Sequence, residues 1–152
     1  MKKEKIITLA SRIAVLTVFI LNVQCAISFI LFPESFIASY ELSGVGGITA
    51  IQGIGVTFLM WNVTYPLVII NPIKYRVIFG IVLIQQLVGF FGESFILMGI
   101  PLENAVLRSS IIRFIVFDGA GFILMVIPFI FLLRYCAKMK NKNNNAVPSM
   151  SE

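Results

Sequence analysis

Apolar residues run almost without interruption through four long stretches of the chain, and polar residues gather between them. The stretches cover residues 6–31, 44–70, 77–100 and 109–135. Each exceeds the roughly 20 residues with which an α-helix crosses a hydrocarbon core of about 30 Å. A membrane segment must satisfy its own backbone hydrogen bonds, and these stretches lack the alternating pattern of barrel strands. We therefore predict four transmembrane helices.

The connections between the stretches are short and contain prolines. The breaks fall at residues 33–35, 71–72 and 101–104. Short connections favour antiparallel neighbours, so the predicted fold class is an all-α, four-helix antiparallel membrane bundle. Between the first two stretches, the spacing of Phe36, Ile37 and Tyr40 predicts one apolar face of a short helix in the membrane interface. Pro66 and Pro128 lie inside stretches and are predicted to bend their helices, because proline lacks a backbone N–H.

The lysines and arginines indicate how these helices are oriented. Ten of the twelve lie at the two chain ends and around the connection at residues 71–76, on one predicted side of the membrane. Of the other two, Arg108 lies on the opposite side and Arg113 lies inside the fourth stretch. By the positive-inside rule, both chain ends are predicted to be cytoplasmic. Trp61, Tyr65 and two other tyrosines would then form an aromatic belt near the cytoplasmic interface.

Composition supports a membrane protein and excludes several functions. The chain is 59% hydrophobic and 12% charged, whereas soluble domains have about 25% charged residues. Its basic residues form no continuous face, so the net charge of +5 does not indicate a nucleic-acid partner. The chain contains no histidine, and no nucleophile–base pair or metal-ligand cluster is visible. No metal, cofactor or catalytic residue is predicted.

Ionisable residues inside the predicted helices are the main candidates for function. Such a group costs at least about 2.5–3.5 kcal/mol near the bilayer centre, so it needs a partner or a task. At 1.5 Å per residue, Glu93, Arg113 and Asp118 lie roughly 6–13 Å below the outer helix ends, and amide side chains of the other two helices reach a similar height. The predicted charged layer is Asn22, Gln24, Gln52, Glu93, Arg113 and Asp118.

The simplest arrangement of this layer is a Glu93–Arg113 ion pair extended by Asp118. Two acids then face one base, which leaves either a surplus negative charge or one protonated acid. The alternative interpretation is purely structural, because buried ion pairs often only fix helix register. Asn62, Gln85 and Gln86 form a second predicted polar layer nearer the cytoplasm, which interhelical hydrogen bonds explain adequately.

The end of the chain differs in composition from the rest. Residues 138–152 are polar and rich in asparagine, and we expect a disordered cytoplasmic tail there. The predicted domain organisation is therefore one transmembrane domain, residues 1–137, followed by this tail.

Three short segments carry a resemblance to known proteins. They are Trp61–Pro66, Gly92–Ser94 and the run Arg-Phe-Ile-Val-Phe-Asp-Gly at residues 113–119. With the four-helix layout, they resemble small bacterial membrane proteins of the DoxX-like and BphX-like kind. That resemblance implies a multi-pass protein of the bacterial cytoplasmic membrane, distantly linked to membrane redox subunits, and it supplies no catalytic residues.

Three functional hypotheses follow from the sequence. In the first, the charged layer binds a small or amphiphilic ligand, with coupling to protons. In the second, the protein is an accessory or structural subunit, partnered by a second copy of itself or by a larger, redox-type membrane complex. In the third, which the absence of catalytic motifs disfavours, Glu93 or Asp118 acts as the acid or base of an intramembrane enzyme. The lipid bilayer is a partner in all three.

Overall fold

The computed structural model describes residues 2–146, and throughout that range the regular secondary structure is helical. Six α-helices follow one another along the chain. They are α1 (Lys2–Leu31), α2 (Glu34–Ile37), α3 (Gly44–Asn62), α4 (Tyr65–Ile70), α5 (Arg76–Gly99) and α6 (Ala105–Ala146). A 3₁₀ turn, Ala38–Tyr40, follows α2 directly.

Four helical segments are long and apolar enough to cross a membrane. They are Lys3–Leu31, Gly44–Ile70, Arg76–Gly99 and Ala105–Lys142. Large apolar side chains on these segments point away from the protein interior; Phe95 is 74% exposed and Met98 is 77% exposed. Length and composition therefore agree with the four predicted membrane-spanning stretches.

Prolines set the helix boundaries much as the sequence predicts. The first helix ends just before Pro33, because the residue preceding a proline disfavours helical backbone angles. Residues Val63 and Thr64 interrupt the second apolar stretch, so that Pro66 occupies the first turn of the separate helix α4. The predicted bend at Pro66 is thus a break between two helices, whereas Pro128 lies inside the continuous helix α6.

The last helix extends into the segment for which a disordered tail was predicted. Helix α6 continues to Ala146, past the predicted tail start at residue 138. Lysine is a good helix former, and Lys138, Lys140 and Lys142 extend a helix that is already nucleated within the apolar segment. Residues 147–152 of the predicted tail lie outside the described part of the chain.

Charged side chains satisfy several helix ends. The Arg108 guanidinium donates to the Leu97 carbonyl at 3.2 Å and to the Ile100 carbonyl at 2.5 Å, where α5 ends. Arg12 donates to the Ile70 carbonyl at the end of α4. The Glu41 carboxylate accepts from the Leu107 backbone N–H at 3.3 Å in the first turn of α6. These bonds supply partners for backbone groups that a helix leaves unpaired at its ends.

The helices pack around one apolar core. Helix α6 packs against α5 and α1, and α1 also packs against α3 and α4. The residues of the core are Val15, Val18, Tyr65, Val68, Phe79, Val82, Met125 and Leu132, all at most 2% exposed. Helices α1 and α3 approach closely at Gly55, where an added Cβ would lie 2.8 Å from the Ala26 carbonyl oxygen. Such close packing at small residues is typical of membrane helices.

Candidate ligand site

A cavity of about 120 Å³ lies between α1, α3, α5 and α6. It brings together members of both predicted polar layers. Its polar lining is Asn22, Asn62, Gln85, Gln86, Glu93 and Asp118. The two layers, inferred separately from the sequence, therefore border a single space.

Asp118 is held in this cavity by a short chain of hydrogen bonds. The Gln86 side-chain nitrogen Nε2 donates to Asp118 Oδ1 at 2.5 Å. The Gln86 oxygen in turn accepts from the Tyr65 hydroxyl at 3.2 Å, and Tyr65 is completely buried. Helix α4 thus orients the amide on α5, and that amide orients the carboxylate on α6.

The position of the Asp118 carboxylate depends on a glycine in α5. A Cβ added at Gly89 would overlap the Asp118 oxygen Oδ2. Gly92, one turn further along α5, has nothing within 4 Å of an added Cβ. The absence of a side chain at residue 89 therefore lets the carboxylate lie against the α5 backbone.

Two acceptor atoms of cavity-lining side chains have no hydrogen-bond partner. They are Glu93 Oε2 and Asn62 Oδ1, and both atoms are buried. Asn62 is only 3% exposed, and its amide nitrogen is already used in a 2.7 Å bond to the Phe58 carbonyl. A buried polar atom without a partner is destabilising by about 1–3 kcal/mol. These two atoms are free to accept hydrogen bonds from a ligand or water inside the cavity.

Aromatic rings complete the cavity wall. Phe58 and Trp61 come from α3, and Phe114 and Phe117 come from α6. Phe58 and Phe114 pack edge to face, with ring centroids 5.7 Å apart. None of the described residues that line the cavity carries a positive charge. The cavity therefore combines two carboxyl groups, four amides and four aromatic rings.

A second recess of about 250 Å³ adjoins the cavity and is more open. It shares Asn22, Phe58, Phe114 and Phe117 with the cavity, and it adds Leu21, Cys25 and Arg113. We call it the vestibule. The shared residues therefore line both the cavity and the vestibule.

Three residues of the predicted charged layer lie outside the cavity. The Arg113 guanidinium donates to Ser110 Oγ at 2.9 Å on its own helix and borders the vestibule, so it leaves Glu93 Oε2 unpartnered. Gln52 donates to the Ile30 carbonyl at 3.1 Å, at the end of α1. Gln24 is exposed on the surface of α1. The expected Glu93–Arg113 ion pair is thus replaced by separate contacts.

Two tyrosines near the site were not expected there. Tyr65, predicted to lie in an interfacial aromatic belt, instead donates to Gln86 from the buried core. Tyr40 follows α2 and packs edge to face on Phe29, with ring centroids 6.0 Å apart. Burial raises the pKa of the Tyr40 hydroxyl above its ordinary value. The predicted short apolar helix is the sequence signal that would have found Tyr40.

Comparisons with known proteins add no family to this description. No family model matches the chain, and no curated protein or solved structure is significantly similar to it. The interpretation of the site therefore rests on its own geometry.

Proposed function

We propose that this chain is a four-span integral membrane protein whose polar cavity binds a small organic cation. The single observation that carries the proposal is the pair of unpartnered acceptors, Glu93 Oε2 and Asn62 Oδ1, in one cavity. A ligand that supplies hydrogen-bond donors and no acceptors satisfies both atoms.

The proposal places the four long helices as an antiparallel bundle in a cell membrane, with both chain ends in the cytoplasm. Short connections between the spans support the antiparallel order. Ten of the twelve basic residues on one side support the orientation. In this orientation the cavity straddles the bilayer centre, with Asn62 and Gln85 on its cytoplasmic side and Glu93 on its outer side.

The chemistry of the lining favours a cation over a neutral or anionic ligand. Glu93 and Asp118 both border the cavity, so two carboxyl groups face one small space. A buried carboxylate without a counter-charge is strongly disfavoured. The faces of aromatic rings attract cations, and Phe58, Trp61 and Phe117 supply such rings. An ammonium or guanidinium group would meet all of these requirements together.

The volume of the cavity limits the size of the ligand. A space of about 120 Å³ is sufficient for a few water molecules or one small organic ion. An amphiphilic ligand would place only its cationic head there, with its apolar part in the vestibule. A proton is the smallest competitor for the two carboxyl groups, so protonation and cation binding would oppose one another.

The only tryptophan of the chain, Trp61, lines the cavity and makes the proposal measurable. We expect its fluorescence to change saturably when methylammonium chloride is added to the purified protein in detergent, compared with equal sodium chloride. Hydrogen bonds to charged groups contribute about 1.5–3 kcal/mol, so Glu93→Gln and Asp118→Asn are each expected to weaken binding roughly 10- to 100-fold. Glu103→Gln, in the exposed connection before α6, is the matched control and should bind normally.

The outcomes separate this proposal from its competitors. No saturable response in the wild-type protein, or an equal response in Glu93→Gln, would overturn it. Loss of folded protein from both carboxyl variants, together with no response in the wild type, would instead support a structural polar layer. Recovery of the protein only within a larger complex would support an accessory subunit.

A further inference from the structure

A long groove runs between the beginning of α1 and the second half of α6, far from the cavity. It consists of two adjoining recesses of about 810 Å³ and 520 Å³, which share Lys3 and Phe131. Neither recess includes any residue of the cavity or the vestibule. The groove is therefore a separate feature of the molecule.

One end of the groove is basic. Arg134, Lys138 and Lys142 line it from α6, and Lys3 faces them from α1. The three α6 residues are spaced four apart, which places them on one face of the helix. The nearby acid Glu4 accepts a hydrogen bond from the Tyr135 hydroxyl at 2.9 Å. Four basic side chains thus line this end of the groove, and the nearby Glu4 carboxylate is already hydrogen-bonded to Tyr135.

The other end of the groove is apolar. Ile6, Ala10, Pro128 and Phe131 line it, in positions that belong to the membrane-spanning segments. From Lys138 to Pro128 is ten residues of helix, or about 15 Å, which equals half of a hydrocarbon core about 30 Å thick. The groove therefore changes from basic to apolar over the depth of one leaflet.

We infer that this groove binds an anionic phospholipid of the cytoplasmic leaflet. The basic end receives the phosphate and headgroup, and the apolar end receives one acyl chain. Basic pockets between membrane helices on the cytoplasmic side are suited to anionic lipid headgroups. A free phosphate ion would use the basic end alone, whereas a zwitterionic lipid would use the apolar end without the charge complementarity. The inference rests on the membrane placement proposed above and is independent of cation binding in the cavity.

Native mass spectrometry of the full chain in detergent tests the inference. We expect phosphatidylglycerol to bind more tightly than phosphatidylcholine with the same acyl chains, and millimolar inorganic phosphate not to displace it. Each basic side chain near a membrane surface favours anionic lipid by about fivefold. The double variant Lys138→Gln/Lys142→Gln is therefore expected to weaken phosphatidylglycerol binding by roughly 25-fold.

Two further variants make the result specific. Lys74→Gln/Arg76→Gln removes the same charge from the same proposed membrane side but outside the groove, and it should leave binding nearly unchanged. Ala10→Phe fills the apolar end without changing charge, and it should also weaken lipid binding. Ala10 is exposed on α1, so the substitution leaves the core intact.

Equal binding of the two lipids, an equal loss in both charge variants, or no effect of Ala10→Phe would overturn the inference. The methylammonium response of Trp61, measured on the same samples, keeps this proposal distinct from the cavity proposal. Loss of lipid preference with a normal response contradicts the groove alone. Normal lipid preference without a response contradicts the cavity alone.

Discussion

Replacing Gly89 with alanine is a direct test of how Asp118 is positioned. The new methyl group is fixed to the α5 backbone and would overlap Asp118 Oδ2, so the Asp118 side chain has to move. The carboxylate would have to rotate, which would break its 2.5 Å hydrogen bond to Gln86. The substitution therefore acts on the site although it adds only one carbon atom.

The expected effect can be worked out from three contributions. Inserting a methyl group into a packed interior is destabilising by about 1–3 kcal/mol. Loss of the Gln86–Asp118 hydrogen bond is destabilising by a further 1–2 kcal/mol or so. Alanine favours the helix over glycine by at most about 1 kcal/mol. The free energy of unfolding of Gly89→Ala should therefore fall by about 1–5 kcal/mol.

The assay is reversible unfolding in mixed micelles of mild detergent and dodecyl sulfate, followed by circular dichroism. Gly92→Ala is the matched control on the same helix, because an added Cβ there meets nothing within 4 Å. We expect Gly92→Ala to be neutral or slightly stabilising. In an Asp118→Ala background the overlap no longer exists, so Gly89→Ala should lose most of its penalty.

Two results would refute this reasoning. One is equal stability of Gly89→Ala and Gly92→Ala. The other is a Gly89→Ala penalty that persists undiminished after Asp118 has been truncated, since that would assign the effect to the helix backbone.

Three further substitutions test the surrounding structure in the same unfolding assay. Tyr65→Phe leaves the buried Gln86 oxygen without its donor and should lower the free energy of unfolding by about 1–3 kcal/mol; unchanged stability would show that the bond contributes nothing. Arg108→Met removes two hydrogen bonds to the carbonyls that end α5, and faster amide exchange confined to that helix end is expected, whereas uniform exchange would contradict the cap. Gly55→Ala should be destabilising by about 1–3 kcal/mol because its Cβ would strike the α1 backbone, whereas Gly53→Ala should not, and equal effects would argue against that close approach.

The sequence was sufficient for the helical segments because the signals that define them are local. Runs of apolar residues specify length, and Pro33 specifies the end of α1 regardless of what packs nearby, whereas the bend predicted at Pro66 is a break between α3 and α4. The tail was less predictable, because Lys138 and its neighbours are compatible with either a free chain or the continuation of a long helix.

The site was only partly predictable because depth along a helix does not determine rotation about it. Glu93 and Asp118 were predicted to lie at a similar height, and both border the cavity. Arg113, Gln24 and Gln52 have a similar predicted height, yet they face the vestibule, the exposed surface and the end of α1. Only tertiary packing determines which polar groups at one level meet.

Two aromatic residues are a second example of side chains whose packing the sequence did not determine. Tyr65 and Trp61 were assigned to an interfacial belt from residue type and predicted orientation, and the structure places Tyr65 in a hydrogen bond to Gln86 and Trp61 in the cavity wall. Helix α3 ends before Val63 and Thr64, and the separate helix α4 begins at Tyr65. The position of Tyr65 could therefore not be predicted by extending one continuous helix.

The proposed cation binding places the ligand between Glu93 and Asn62 in the cavity. An experimental structure of the full chain in a lipid nanodisc, determined in methylammonium and again in sodium, tests it most directly. We expect density specific to methylammonium at hydrogen-bonding distance, about 2.7–3.2 Å, from both Glu93 Oε2 and Asn62 Oδ1. An identical cavity in the two salts, or one closed by direct contact between those side chains, would contradict it.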